Sequence, residues 1–214
     1  MSKVLLVCRV TSSSGMGHLS RLLTIANSLK NIGIVAQFIL FHENFKSDNL
    51  KNYKVHEYHG NDDIEKSILG VIKHNPTDVV IFDLDMGSKF NNKGDFLLTL
   101  SRLDIKLVAI DSMLEYAEIL DLVWIPSISF DEEQYKDHKS KITSGWNSLL
   151  LNKREKSNNW RHGKNVLVLT GASDIKNLGD KIPLLLESSL PLNSHIHWVR
   201  GPYSSWPKLP EYRK

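Results

Sequence analysis

The residues of this chain best suited to chemistry gather in one short stretch, Ser12-Ser13-Ser14-Gly15-Met16-Gly17-His18. An apolar run, Lys3 to Val10, precedes it, and Leu19 to Lys30 follows with apolar side chains at 19, 22, 23, 26 and 29. The first run reads as a strand covered on both faces, the second as a helix with one apolar face. A Ser/Gly loop between two such elements presents backbone N–H groups and a helix N-terminus, which attract anions and phosphates above all. His18 stands where the helix begins, so an anion-friendly surface and a proton-transfer group come together. A positive helix end favours the neutral imidazole, the form able to accept a proton; the plainer role for His18 is to cap the helix. Gly15 and Gly17 permit close approach of a ligand or a positive φ, or make a simple tight turn. Ser14 and its neighbours can hydrogen-bond a ligand hydroxyl or cap the helix.

The remaining candidates follow other apolar runs. Asp78–Phe82 (DVVIF) ends at Asp83, with Asp85 just beyond, and Lys106–Ile110 (KLVAI) ends at Asp111. Asp83 and Asp85 suit the orienting of water or ligand hydroxyls, or the capping of the next segment. Asn165–Thr170 (NVLVLT) leads into Gly171-Ala172-Ser173-Asp174. There Gly171 is a candidate for close approach to substrate, and Asp174 a candidate helix cap.

The elements that must position these residues alternate. Strands are expected at Ile34–Phe41, Tyr53–Tyr58, Asp78–Phe82, Lys106–Ile110 and Leu122–Ile125, the last of them before Pro126. Helices are expected at Asp62–His74 and Phe96–Leu103, and Gly33 supplies the stop of the first helix. Strands alternating with helices imply an α/β fold with a doubly wound parallel sheet. In such sheets ligands sit beyond the carboxyl ends of the strands, which brings the Ser14–His18 loop, Asp83 with Asp85, and Asp111 to one edge. The segment 127–163 is polar, rich in Lys, Ser and Asn, and reads as an interdomain connection. The pattern resumes with a strand from Asn165, a helix through about Leu190 that must absorb Pro183 in its first turns or kink, and a strand at Ile196–Val199. This gives three parts: a Rossmann-like domain over 1–126, a linker over 127–163, and the beginning of a second Rossmann-like domain over 164–214.

With 214 residues, 41% hydrophobic, 24% charged and a net charge of +3, the chain has the composition of a globular protein without the charge excess of a nucleic-acid binder. Its single cysteine, Cys8, falls inside the first strand, where it is expected to be a small buried hydrophobe. No apolar run approaches the ~20 residues of a membrane-spanning helix. The expected location is cytoplasmic. The pairs His56/His59 and His195/His197 lack an obvious third ligand, so no metal site is expected.

Gly-x-Gly-His-x-x-Arg-x-Leu-x-x-Ala, here Gly15–Ala26, resembles the N-terminal signature of the UDP-sugar hydrolases of pseudaminic acid synthesis and of the related spore-coat polysaccharide biosynthesis proteins. Leu169–Leu178 is similar to the Gly-Gly-(Ser/Thr/Ala)-Asp-x-x-Asn-Leu segment that opens their second domain, and Asp121-Leu122-Val123 to an "ADLV"-like segment. The resemblance implies the two-Rossmann GT-B architecture, a UDP-sugar substrate, and His18 as the general base that activates water at the anomeric carbon. No metal or cofactor is then required, since N–H donors and helix ends can hold the charge of the departing UDP. It also implies that a uridine-diphosphate clamp belongs to a part of the second domain beyond Lys214, a missing C-terminal segment or partner domain.

Three functions compete on this reading. The first is a nucleotide-sugar enzyme, a hydrolase or a glycosyltransferase of surface polysaccharide synthesis in which His18 would act on an acceptor hydroxyl. The second is a dinucleotide-dependent oxidoreductase, disfavoured because Ser20 stands where G-x-G-x-x-G has its third glycine. The third is a non-catalytic fragment that binds sugar nucleotides.

Overall fold

The computed structural model describes residues 3–11, 15–84, 88–150, 164–171, 173–174, 176–201 and 203–208. The chain divides into two compact units; leaving aside Gly15–Gly17, the first runs to Asn152 and the second from Lys153.

The first unit is built on strands β1 (Lys3–Val10), β2 (Val35–His42), β3 (Lys54–His59), β4 (Val79–Asp83), β5 (Lys106–Ile110), β6 (Leu122–Trp124) and β7 (Ile142–Thr143). All pairings are parallel, and the order is β3-β2-β1-β4-β5-β6-β7. This is the order of a Rossmann-type sheet, reversing direction between β1 and β4. The expected α/β, doubly wound fold is the one found.

Three helices serve this sheet: α1 (Gly17–Asn31), α2 (Ile64–His74) and α3 (Lys93–Arg102). Side chains alternate across a strand, and the alternation sorts the core. Leu5, Val7, Ile39, Phe41, Val80 and Phe82 pack with Ile64 and Ile68 of α2 and Phe96 and Leu97 of α3. Positions of opposite parity, including Leu6, Cys8, Phe38 and Leu40, are just as buried, as are Leu19, Leu22 and Ala26 of α1. Burial on both faces explains why these strands read as continuous apolar runs.

Local chemistry fixes the helix ends. Gly33, at φ +78°, closes α1, with its N–H on the Lys30 carbonyl (3.1 Å) and the Ile34 N–H on that of Leu29 (2.9 Å), the paired bonds of a Schellman stop. Asp63 caps α2 through the Lys66 N–H, and Asn92 caps α3 through the Asp95 N–H, so α3 begins three residues before the apolar run suggested.

One expectation needs correction. The sheet does not finish at the strand before Pro126, because Ile142–Thr143 adds a seventh strand against Val123 and Trp124. Polar composition hid it: a two-residue edge strand carries no periodicity to read. The expected connection over 127–163 thus contributes to the first unit as far as it is described. Within it, Trp124 Nε1–H donates to the Ser148 carbonyl (2.7 Å).

The second unit contains β8 (Asn165–Leu169), α4 (Leu178–Ser189) and β9 (His195–Val199), with β8 and β9 parallel. Pro183 lies inside α4, in its second turn, without ending it. Among the described residues the sheet has two strands, and Leu167 and Leu169 are 62% and 64% exposed, a state parallel strands rarely tolerate.

Candidate functional site

Sheets whose strand order reverses bind ligands in the crevice beyond the point of reversal, which here falls between β1 and β4. α1 supplies one wall. His18 is its second residue and Arg21 lies three further on, on the same helical face. β4 supplies the other wall: its last residue, Asp83, has the parity opposite to Phe82 and so points to the α1 side.

These side chains meet. Asp83 is fully buried, a position that costs a carboxylate several kcal/mol unless it is paired. Arg21 pairs with it on both oxygens, Nε donating to Oδ2 (2.8 Å) and Nη2 to Oδ1 (2.7 Å). His18 Nδ1 lies 2.6 Å from the same Oδ1. A carboxylate only accepts, so Nδ1 carries a hydrogen and donates it; in the neutral ring this leaves the Nε2 lone pair free. Arg21 Nη2 also approaches Nδ1 (3.1 Å). With Nδ1–H already committed, that approach is a packing contact rather than a second bond.

Arg21 reaches further, its Nη1 donating to Asp111 Oδ2 (3.2 Å). Asp111 follows β5 in a left-handed conformation, φ +56°, and is half-exposed. The Asp83 and Asp111 pairings push the Arg21 pKa up, against the opposing effect of its burial. Cys8, aligned with Asp83 across β1 and β4, is buried, and that burial together with the Asp83 charge pushes its thiol strongly up. It therefore stays protonated and adds no charge to the site.

The imidazole keeps 18% of its surface exposed. The ring is therefore held by the buried carboxylate through Nδ1 and remains partly exposed. An imidazole with Nδ1–H fixed on a carboxylate is the arrangement of a general base, because the anion orients the ring and stabilises positive charge as Nε2 takes a proton.

The other sequence candidates distribute as follows. Gly15 has φ +68°, so of the two glycines it is the one whose backbone needs the residue; at Gly17 a Cβ would meet nothing within 4 Å. Ser14 and Asp85 lie outside the described residues. Gly171, at φ +83°, makes the turn after β8 in the second unit. There Asp174 accepts from the Leu178 and Gly179 N–H groups (2.8 Å each) and caps α4 from upstream of its nominal cap, Asn177. Asp83, a candidate for orienting water or hydroxyls or for capping the next segment, is buried under His18 and Arg21. Arg21 is the residue that reading the candidates one at a time missed. The signal was present, an arginine three residues after the histidine of the Gly-x-Gly-His motif.

A separate groove of about 510 Å³ lies along β2 and β3, with Leu40, His42, Phe45 and Val55 in its walls, and shares no residue with the His18 cluster. Among the described residues no three His, Cys, Asp or Glu side chains group as metal ligands, and no helix is long and apolar enough to cross a membrane.

No protein-family model matches this sequence, and no curated protein matches it either. The fold has a counterpart among solved structures. The crystal structure of Acinetobacter baumannii MurG is similar at a TM-score of 0.54 and 15% sequence identity, over 93% of this chain. This chain spans 66% of the length of MurG. At that identity the likeness establishes the shared α/β, Rossmann-like fold.

Proposed function

We propose that this protein processes a nucleotide-activated sugar, with His18 as the base and the residues around the β1–α1 loop as part of the substrate site. The observation that carries the reading is the His18–Asp83 hydrogen bond at the reversal of strand order, which in the neutral ring leaves Nε2 as the free base of a partly exposed imidazole. Two further points support it: the N-terminal motif resembles that of UDP-sugar hydrolases, and the fold is shared with MurG, a GT-B glycosyltransferase that uses a UDP-sugar.

In the leading form of the reaction, water attacks the anomeric carbon of a UDP-linked amino or deoxy sugar. His18 Nε2 takes the proton from that water as the new C–O bond forms. The glycosidic C–O bond breaks, and the electron pair leaves with UDP. Asp83 stabilises the imidazolium, and Arg21 keeps Asp83 in register. Backbone N–H groups at Gly15, Gly17 and the start of α1 are the proposed donors to the departing phosphate; Ser14, Asp85 and Gly171 are proposed substrate contacts. The second reading, favoured by the likeness to MurG, is transfer, with the same Nε2 taking the proton from an acceptor hydroxyl.

A cytoplasmic role in surface-polysaccharide synthesis, pseudaminic acid included, fits the reading at its finest grain. The 164–214 segment belongs in it as the start of a second Rossmann-type domain. The exposed Leu167 and Leu169 call for further chain or a partner domain to finish that sheet, and in the third reading, a non-catalytic binding fragment, that completion never occurs. Release of UDP from a panel of UDP-sugars, with and without acceptor, tests the proposal. Acceptor-independent release supports hydrolysis, strictly acceptor-dependent release supports transfer, and no release with any donor, including after the second domain is completed, contradicts both.

A further inference from the structure

A base held by a carboxylate works only while that carboxylate is fixed in place. Asp83 is wholly enclosed, and an enclosed carboxylate is costly unless it is paired. Arg21 supplies both the pairing and the orientation. Its guanidinium lies in a two-bond fork on Asp83 (2.8 and 2.7 Å) and sets a positive nitrogen 3.1 Å from His18 Nδ1.

We propose that Arg21 is the positioning residue of the site, neutralising and orienting Asp83 so that His18 is held in its Nδ1–H form with Nε2 unprotonated, and that Asp111 anchors Arg21 in that pose. The proposal takes His18 as a base from the reading above, but its test needs no substrate.

The surrounding charges fit. Around His18 stand Asp83 at the end of β4, Arg21 on α1, Asp111 after β5, and Cys8 on β1 beside Asp83. Cys8 remains a neutral thiol. Asp111 is 51% exposed and screened by solvent, so it steers the Nη1 end of Arg21 while leaving most of the positive charge for Asp83. Lysine cannot replace this arrangement, because a single ammonium carries the charge without the planar fork that reaches both Asp83 oxygens and Asp111 at once.

The test is ¹⁵N NMR of the histidine side chains in the full 214-residue chain, with the His18 signals identified by their loss in His18→Gln. In the unaltered protein, neutral His18 is expected as the Nδ1–H tautomer. In Arg21→Met, loss of the fork is expected to turn that single tautomer into a mixture of the two neutral forms. Arg21→Lys, which retains charge and guards against misfolding of the methionine variant, is expected to give a mixture richer in the Nδ1–H form. The amide spectrum of each variant reports folding separately. An unchanged tautomer of His18 in a folded Arg21→Met or Arg21→Lys protein would overturn the proposal. That result would leave the UDP-release assay untouched, so the failure of Arg21's role and the failure of the nucleotide-sugar reading can be told apart.

Discussion

Two of the strand-to-helix loops of this chain each hold a glycine at positive φ but end differently. After β1, a glycine at positive φ leads into α1, and the histidine at the helix start finds Asp83 on a neighbouring strand. After β8, another glycine at positive φ leads toward α4, but Asp174 spends both carboxylate oxygens on N–H groups of its own helix. What separates them is the company each keeps. The first loop opens beside a seven-stranded sheet whose order reverses next to it, so β4 and β5 deliver Asp83 and Asp111 to the same edge. The second belongs to a sheet that has two strands among the described residues, and its Asp174 caps a helix. A glycine-rich turn before a helix is thus only an opportunity; neighbouring strands decide whether it becomes a site.

Substitutions can break or sharpen this contrast. The largest stability effect is expected from Asp83→Ala, which leaves Arg21 without its buried partner and should destabilise the first unit by about 3 kcal/mol, read as a drop in the denaturation midpoint. Asp174→Ala, the matching change in the second unit, loses two N–H bonds at a helix start and should cost ~1 kcal/mol, confined to hydrogen exchange in α4. If the two costs were equal, the distinction between a charge-paired site and a cap would fail. Cys8 sharpens the first region further: its thiol, buried and raised by Asp83, should resist iodoacetamide at pH 8 in the folded protein and react once the chain unfolds. Rapid alkylation of the native chain would mean that the floor of the site is open.

The smallest effect belongs to an ordinary cap. The Lys66 N–H, and less strongly Asn91 and the Lys66 charge, hold the Asp63 carboxyl below its usual range. A depressed folded-state pKa adds stability that is present above the unfolded value of about 3.9 and lost as pH falls through the folded one. Asp63→Asn should therefore lower stability slightly at pH 7 and not at pH 2, as measured by paired urea titrations.

Much of this was legible in advance, and the reasons are particular. β1 was readable to the residue because both faces of a central parallel strand are buried and Val4–Cys8 run apolar without a break. Gly33 stopped α1 where a left-handed residue was required. His18, Asp83 and Asp111 were all marked by their places at strand or helix ends. β7 was not legible, since two residues on an edge leave no pattern. Nor was the part played by Arg21, because linear sequence shows that it shares a face with His18 but not that the far end of β4 lies beneath both. The role of Asp83 shifted for the same reason: a strand-end carboxylate reads as solvent-facing until the helix that covers it is in place.

The account rests on His18 doing chemistry that Asp174, in the look-alike loop, does not. The most direct measurement is the rate of UDP release from the best UDP-sugar donor by the unaltered protein, His18→Gln and Asp174→Asn, under conditions in which all three are folded. Loss of a positioned base is worth about 10²–10⁴-fold, so His18→Gln is predicted to fall by at least a hundredfold while Asp174→Asn stays within a few-fold of the unaltered rate. Retention of full activity by His18→Gln would contradict the account.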